Sequence, residues 1–84
     1  MDNNKKIQRL LELVGNGSVL NADISPTFTD VIYAELLLNG GFNLSQIASK
    51  LRLCSHFAVW FHTQPVEYIA WLVLVKQRKM RHLS

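Results

Sequence analysis

The soft metal ligands and potential nucleophiles of this sequence are one cysteine, Cys54, and three histidines, His56, His62 and His82. A single residue separates Cys54 from His56, and this spacing matches no common structural zinc site. As a nucleophile, Cys54 needs a neighbouring base, and the sequence places none beside it. The sequence also lacks a phosphate-binding loop, paired cysteines, and the HExxH and GxSxG motifs. We therefore expect no bound metal, no cofactor and no enzyme activity.

The length and composition indicate one small folded domain over residues 1–84. The chain is too short for two independent cores, and 49% hydrophobic against 18% charged residues is typical of a folded chain. A chain of this size buries only about 60% of its unfolded surface, so a second copy or a partner would help to complete the core. The single cysteine excludes an internal disulfide, and the polar start of the sequence differs from a signal peptide. We therefore expect a cytoplasmic protein.

The positive charge of the chain is concentrated at its C-terminal end. The formal net charge is +3, and residues 76–84 alone carry +4 without any acidic residue. The four cations there are Lys76, Arg78, Lys79 and Arg81. Such a segment is either a solvated helix end or a region that contacts nucleic-acid phosphates or acidic lipid headgroups.

Two helices are predicted in the first half of the chain. Apolar residues at one-turn spacing predict a helix over residues 3–14, which together with a connector makes up residues 1–24. A second helix over about 26–38 is predicted because Ser25 can cap it and Pro26 suits the first helical position. Its predicted buried face consists of Phe28, Val31, Ile32, Leu36 and Leu38.

Two short helices are predicted next. Asn43 can cap the third helix, which runs to about Leu51. Ser55 can cap the fourth helix, over about 56–62. Two capped short helices joined by a tight turn are typical of a helix-turn-helix.

We predict a helix-turn-helix core at residues 43–62, within a region that spans 25–84. Two short helices that cross steeply need a small residue at the crossing, and Ala48 supplies it. Leu51 and Leu53 are expected to be buried beneath the turn. The predicted fold class is therefore all-α, with about five helices around this core.

The fifth predicted helix, over about 65–81, contains eight consecutive apolar residues at 68–75. Eight consecutive residues cannot share one face of a helix, so this helix is either the centre of the fold or contacts another chain with its second face. An apolar run of eight is too short to span a bilayer, so we expect no membrane span and no membrane among the partners. We expect a homodimer in which the fifth helix forms the interface.

The order of these motifs resembles the bacterial helix-turn-helix transcription regulators. Leu44-Ser45-Gln46-Ile47-Ala48, followed by Phe57 and Phe61 and then by Pro65-Val66-Glu67-Tyr68, is similar to one helix-turn-helix half of an AraC-type regulator. The resemblance covers about residues 27–83. A weaker similarity links the chain to PapB-type fimbrial regulators. The resemblance implies a small transcription regulator that binds DNA, and a two-fold dimer would suit a palindromic site.

In that function, side chains at the start of the fourth helix and in the turn before it would read the bases, and the C-terminal cations would contact phosphates. The candidate base-reading residues are Arg52, Ser55 and His56. The candidate phosphate contacts are Lys76, Arg78, Lys79 and Arg81.

A second function, of a different class, is left open by the composition of the fourth helix. A base-reading helix uses Arg, Lys, Asn or Gln, whereas this one offers Ser55, His56 and His62, with Val59 and Trp60 on the expected reading face. The alternative is a degenerate helix-turn-helix that binds and antagonises a protein, such as another regulator or the transcription machinery. Its interface candidates are Val59, Trp60, Trp71, Leu72 and Val75. A positive surface around His56 would favour DNA, and an apolar one would favour a protein.

Overall fold

A computed structural model describes residues 3–17 and 25–83, with side chains as far as Arg78. This part of the chain contains no strand and five α-helices. They are α1 (Asn3–Asn16), α2 (Phe28–Asn39), α3 (Leu44–Leu53), α4 (Ser55–Thr63) and α5 (Val66–Leu83). The predicted all-α fold is thereby confirmed, and the helix-turn-helix core stays a prediction. The connector over 18–24 and the side chains of Lys79, Arg81 and His82 lie outside the described residues.

α5 is the central helix of the fold, with α1 and α2 packed against it. Its buried residues are Ile69, Ala70, Leu72 and Val73. α1 contributes a single apolar stripe, Ile7, Leu10 and Leu13, to the same core. Half of the apolar run of α5 is therefore buried within the chain, and its other members, Tyr68, Trp71, Leu74 and Val75, are half-buried. None of the five described helices combines the length and the apolar character that crossing a membrane requires.

α2 is rotated away from its predicted orientation. Its buried residues are Asp30, Ala34 and Leu37, whereas Phe28 is 81% exposed. Ile32 and Leu36 are exposed as well, so the predicted buried face was wrong. Apolar residues occupy most of the circumference of α2, and hydrophobic periodicity therefore does not select one face.

The start of α2 also differs from the prediction. Thr27, not Ser25, is the N-cap, and it forms a reciprocal capping box with Asp30. The Thr27 hydroxyl accepts from the Asp30 backbone N–H at 3.1 Å, and the Asp30 carboxylate accepts from the Thr27 N–H at 3.3 Å. The second bond brings Asp30 Oδ2 back over the first turn of the helix.

A single residue, Cys54, separates α3 from α4. The predicted cap of α3 is confirmed, because Asn43 Oδ1 accepts from the Gln46 backbone N–H at 2.9 Å. Ser55 was wrongly predicted as the cap of α4, since Cys54 occupies that position and makes no side-chain capping bond. The Cys54 N–H donates to the carbonyl of Lys50 at 2.9 Å, and its own carbonyl accepts from Ala58 at 3.0 Å. The junction between the two helices is therefore short and hydrogen-bonded on both sides.

Candidate interaction surface

A buried carboxylate, Asp30, joins three helices of the fold, α2, α4 and α5. Asp30 on α2 is 7% exposed. The Trp60 indole N–H on α4 donates to Oδ1 at 2.7 Å, and the Tyr68 hydroxyl on α5 donates to Oδ2 at 2.7 Å. With the Thr27 N–H, both carboxylate oxygens are engaged. This network fixes the position of α4 relative to α2 and α5.

The network also sets the charge states of its members. Burial by itself raises the pKa of Asp30, but the hydrogen bonds from Trp60, Tyr68 and Thr27 together outweigh burial and lower this pKa below its usual value. Burial, the hydrogen bond to Asp30 and the charge of Asp30 raise the pKa of Tyr68 to about 12. At neutral pH, Asp30 is therefore ionised and Tyr68 is protonated, as the observed hydrogen bonds require.

The inner face of α4 is aromatic and lies in the core. Phe57, Trp60 and Phe61 are buried, and the Tyr33 ring of α2 lies 5.6 Å from the Phe57 ring and 5.1 Å from the Trp60 ring. Trp60 is only 6% exposed. Its expected place at a protein interface was therefore wrong, because the indole N–H is bound to Asp30 instead.

The end of α4 is held by α1. The Lys6 ammonium donates to the carbonyls of Phe61 at 2.5 Å and Gln64 at 2.8 Å, and it lies 5.1 Å from the centre of the Phe61 ring. A cation at a helix C-terminus is favoured by the helix dipole. Burial lowers the pKa of Lys6, and the negative charge of Glu67 partly opposes that effect. α4 is thus fixed along its inner face and at its C-terminal end.

The outer face of α4 and the end of α3 carry exposed side chains, which we together call the α3–α4 surface. Its members are the exposed side chains of Arg52, Leu53, Ser55, His56, Val59 and His62. Leu53 is 82% exposed and Val59 is 64% exposed. Two residues of chain span at most about 7 Å, so the Cα of Leu53 lies close to that of Ser55. Ser55 and Val59 are one helical turn apart, about 6 Å, on the same side of α4.

The exposure of Leu53 contradicts its predicted burial. Leu44, Ile47 and Leu51 follow the inner stripe of α3, and Leu53 lies about 200° around the helix from Leu51 because each residue advances about 100°. Leu53 is a member of the surface that sequence reasoning missed. The angular offset of Leu53 from the inner stripe of α3 is the sequence signal that would have predicted its exposure.

The α3–α4 surface is apolar and basic. Neither α3 nor α4 contains an Asp or a Glu, and their ionisable basic side chains are Lys50, Arg52, His56 and His62. Lys50 is engaged within the chain, because its ammonium donates to the carbonyl of Leu36 at 2.9 Å. Arg52 makes no ion pair or side-chain hydrogen bond with any described residue. Arg52 is therefore available to a carboxylate or phosphate of a partner.

The remaining predicted site residues are distributed over α5. Lys76 forms a 2.6 Å ion pair with Glu35 of α2, whereas Arg78 is exposed. Leu72 is buried in the core, so its expected place at an interface was wrong. Trp71 stacks on Tyr68 with ring centres 6.1 Å apart. Lys76 is therefore held against α2. The candidates for base reading, Arg52, Ser55 and His56, lie together at the α3–α4 junction instead.

Among the described residues, no group of three or more His, Cys, Asp or Glu is placed to hold a metal ion. Cys54 is a half-buried free thiol at the α3–α4 junction. No protein-family model, no curated protein and no solved structure matches this chain.

Proposed function

We propose that this chain is a regulatory protein that acts by binding another protein through the α3–α4 surface. The observation that carries the proposal is the exposure of Leu53 and Val59. Val59 lies on the outer face of α4, where a DNA-reading helix would present polar groups to base edges, and Leu53 lies two residues before α4, at the end of α3. Clustered exposed apolar side chains rimmed by polar ones are typical of protein interfaces.

The way α4 is anchored supports this function. Asp30 holds the inner face of α4 and Lys6 holds its C-terminal end. The outer face therefore lies on a helix whose position is fixed within the fold. A partner that binds this face does not need to order the helix first. Preorganisation of this kind favours affinity because less conformational entropy is lost on binding.

The helix order resembles that of helix-turn-helix regulators, and this resemblance suggests the kind of partner. We propose that the partner is another transcription regulator or a component of the transcription machinery, and that binding antagonises it. A chain that keeps the helix order but presents an apolar side chain, Val59, on the outer face of its fourth helix would suit that role.

Photocross-linking in the native cells tests the proposal. A benzoylphenylalanine residue at position 59 should give a covalent adduct with one protein, because Val59 is exposed in the α3–α4 surface. The same residue at position 8, where the exposed Gln8 lies on α1, is the control and should not give that adduct. Equal adducts from both positions, or none from position 59, would contradict the proposal.

DNA binding is the second candidate function. It is favoured by the clustering of Arg52, Ser55 and His56, all exposed around the start of α4, and by the exposed Arg78. Fluorescence anisotropy of a labelled duplex at two salt concentrations tests it, because phosphate contacts weaken steeply with salt. Salt-sensitive binding that is reduced by Arg52→Ala and unaffected by Leu53→Ser would favour DNA over a protein partner.

We further propose that the chain forms a homodimer through α5. Trp71 and Val75 are only half-buried, so α5 keeps an apolar margin that a second copy could cover. Sedimentation equilibrium at micromolar concentration should then give twice the 9.6 kDa mass of the chain. Val75→Glu should return the mass to that of one chain, and a wild-type chain that sediments as a monomer would contradict the dimer.

A further inference from the structure

We infer that the partner segment bound by the α3–α4 surface is acidic, with carboxylates that pair with Arg52 and apolar side chains that cover Leu53 and Val59. This inference rests on the proposed protein-binding function and specifies the chemistry of the partner. It follows from the distribution of charge around the two exposed apolar residues.

The carboxylates of the described chain are committed elsewhere. Glu12 pairs with Arg9 on α1, and Glu35 pairs with Lys76. Asp30 is buried in the core, and Glu67, at the start of α5, acts electrostatically on Lys6, which binds the C-terminal end of α4. The α3–α4 surface thus has a cation, Arg52, and no carboxylate from its own two helices.

Arg52 is suited to a carboxylate of a partner. It is exposed, it is one residue from Leu53, and it makes no ion pair within the described chain. A guanidinium binds a carboxylate with two parallel hydrogen bonds, so it supplies direction as well as charge. His56, exposed four residues further along the chain, adds a second group that can donate to an acidic partner.

The dimensions of the surface suit a short segment. Leu53 and Val59 lie within about 13 Å of each other through Ser55, by the chain length and helix rise given above. Apolar residues at i and i+7 of a helix are separated by about 10 Å. A helical segment of two to three turns could therefore contact both apolar residues and place acidic residues beside Arg52.

DNA is the other anionic ligand that Arg52 could bind. An acidic protein segment and DNA differ in whether their affinity depends on Leu53. An acidic protein segment gains affinity by covering Leu53 and Val59, whereas phosphate contacts do not require them. The dependence on Leu53 therefore distinguishes an acidic protein from DNA.

Selection from a random 15-residue peptide library displayed on phage tests the inference. The full chain is the bait, and a Leu53→Asp variant is used to remove peptides that bind elsewhere. Phe28→Asp is the matched control, because Phe28 on α2 is as exposed as Leu53. We expect the selected peptides to be enriched in Asp and Glu around apolar anchors and to bind the Phe28→Asp variant normally.

Titration of one selected peptide gives the magnitudes. Leu53→Ser, a milder change, should weaken binding at least tenfold because an apolar contact is lost. Arg52→Ala should weaken it about three- to fivefold, and this loss should shrink in high salt. Circular dichroism should show that both variants are folded.

Two outcomes would overturn the inference in different ways. Selected peptides that depend on Leu53 but are neutral or basic would reject the acidic partner and leave the protein-binding function standing. A selection that gives no Leu53-dependent peptide would reject both the acidic partner and the protein-binding function. If the chain then bound a DNA duplex in a manner that depends on Arg52, the surface would be assigned to DNA.

Discussion

The two faces of α4 differ in whether the chain itself supplies their contacts. The inner face is packed into the core, with the Trp60 indole hydrogen-bonded to Asp30 and the Phe57 ring next to that of Tyr33. The outer face presents Val59 to solvent and continues into the exposed Leu53. The aromatic character of α4 therefore serves the fold, and our proposal assigns binding to the exposed residues on the opposite side.

Substitutions on the inner face of α4 and its contacts should lower the free energy of unfolding more than substitutions on the outer face. Asp30→Ala leaves the Trp60 N–H and the Tyr68 hydroxyl without their acceptor and removes half of the capping box. Each buried unsatisfied donor costs about 1–3 kcal/mol, so we expect a loss of about 3 kcal/mol in the free energy of unfolding. Thermal and urea denaturation measure it.

Two further variants sharpen that comparison. Asp30→Asn keeps one carbonyl oxygen and should lose less stability than Asp30→Ala. Val59→Asp, on the outer face, should change the free energy of unfolding by no more than about 0.5 kcal/mol. If Val59→Asp destabilised the chain as much as Asp30→Ala, the two faces would not differ in the way the structure indicates.

The next largest loss of stability is expected from a substitution that disturbs the packing between α3 and α4. Ala48 is half-buried and packs against the core, so Ala48→Leu should overpack this region and cost on the order of 1–3 kcal/mol. Gln8→Leu, which adds the same side chain at an exposed position of α1, is the control. An unchanged melting temperature in Ala48→Leu would reject the close contact that a helix-turn-helix requires.

The Asp30 network should also make stability depend on pH at both extremes. The lowered pKa of Asp30 means that its contribution is fully present above the unfolded value, about 3.9, and is lost as the pH falls through the folded value. The pKa of Tyr68 is raised to about 12, so its contribution is present below about 10 and is lost as the pH rises toward 12. Urea denaturation across pH checks both limbs, and Tyr68→Phe should remove the alkaline one. An alkaline limb that persists in Tyr68→Phe would contradict this assignment.

Local sequence patterns were sufficient to locate the five helices, although the N-caps predicted for α2 and α4 were wrong. All five helices lie within two residues of their predicted bounds, and Asn43 caps α3 as expected. These features depend on side chains a few residues apart, and the physics of capping and helical periodicity acts over the same range.

The orientation of α2 could not be predicted in this way. It depends on the contacts of Asp30 with Trp60 and Tyr68, which lie 30 and 38 residues away in the chain. A periodicity calculation treats Asp30 as a solvent-facing residue, whereas three hydrogen-bond donors make its burial favourable. Once Asp30 faces the core, Phe28 on the opposite side must face solvent.

The candidate site was predicted only in part. Arg52, Ser55, His56 and Val59 are exposed around one junction, as their proposed roles require. Trp60 was misplaced because a tryptophan suits a core and an interface equally well, and the difference lies in the distant Asp30 that accepts its N–H.

The most direct test of the α3–α4 surface compares Leu53→Asp with Phe28→Asp in binding to the protein recovered by cross-linking at position 59. The two wild-type side chains are 82% and 81% exposed and lie on different helices, α3 and α2, so the substitutions are matched in chemistry and exposure. We predict that Leu53→Asp raises the dissociation constant at least tenfold and that Phe28→Asp leaves it within twofold of wild type. Equal dissociation constants for the two variants, or a larger effect of Phe28→Asp, would contradict a binding surface formed by α3 and α4.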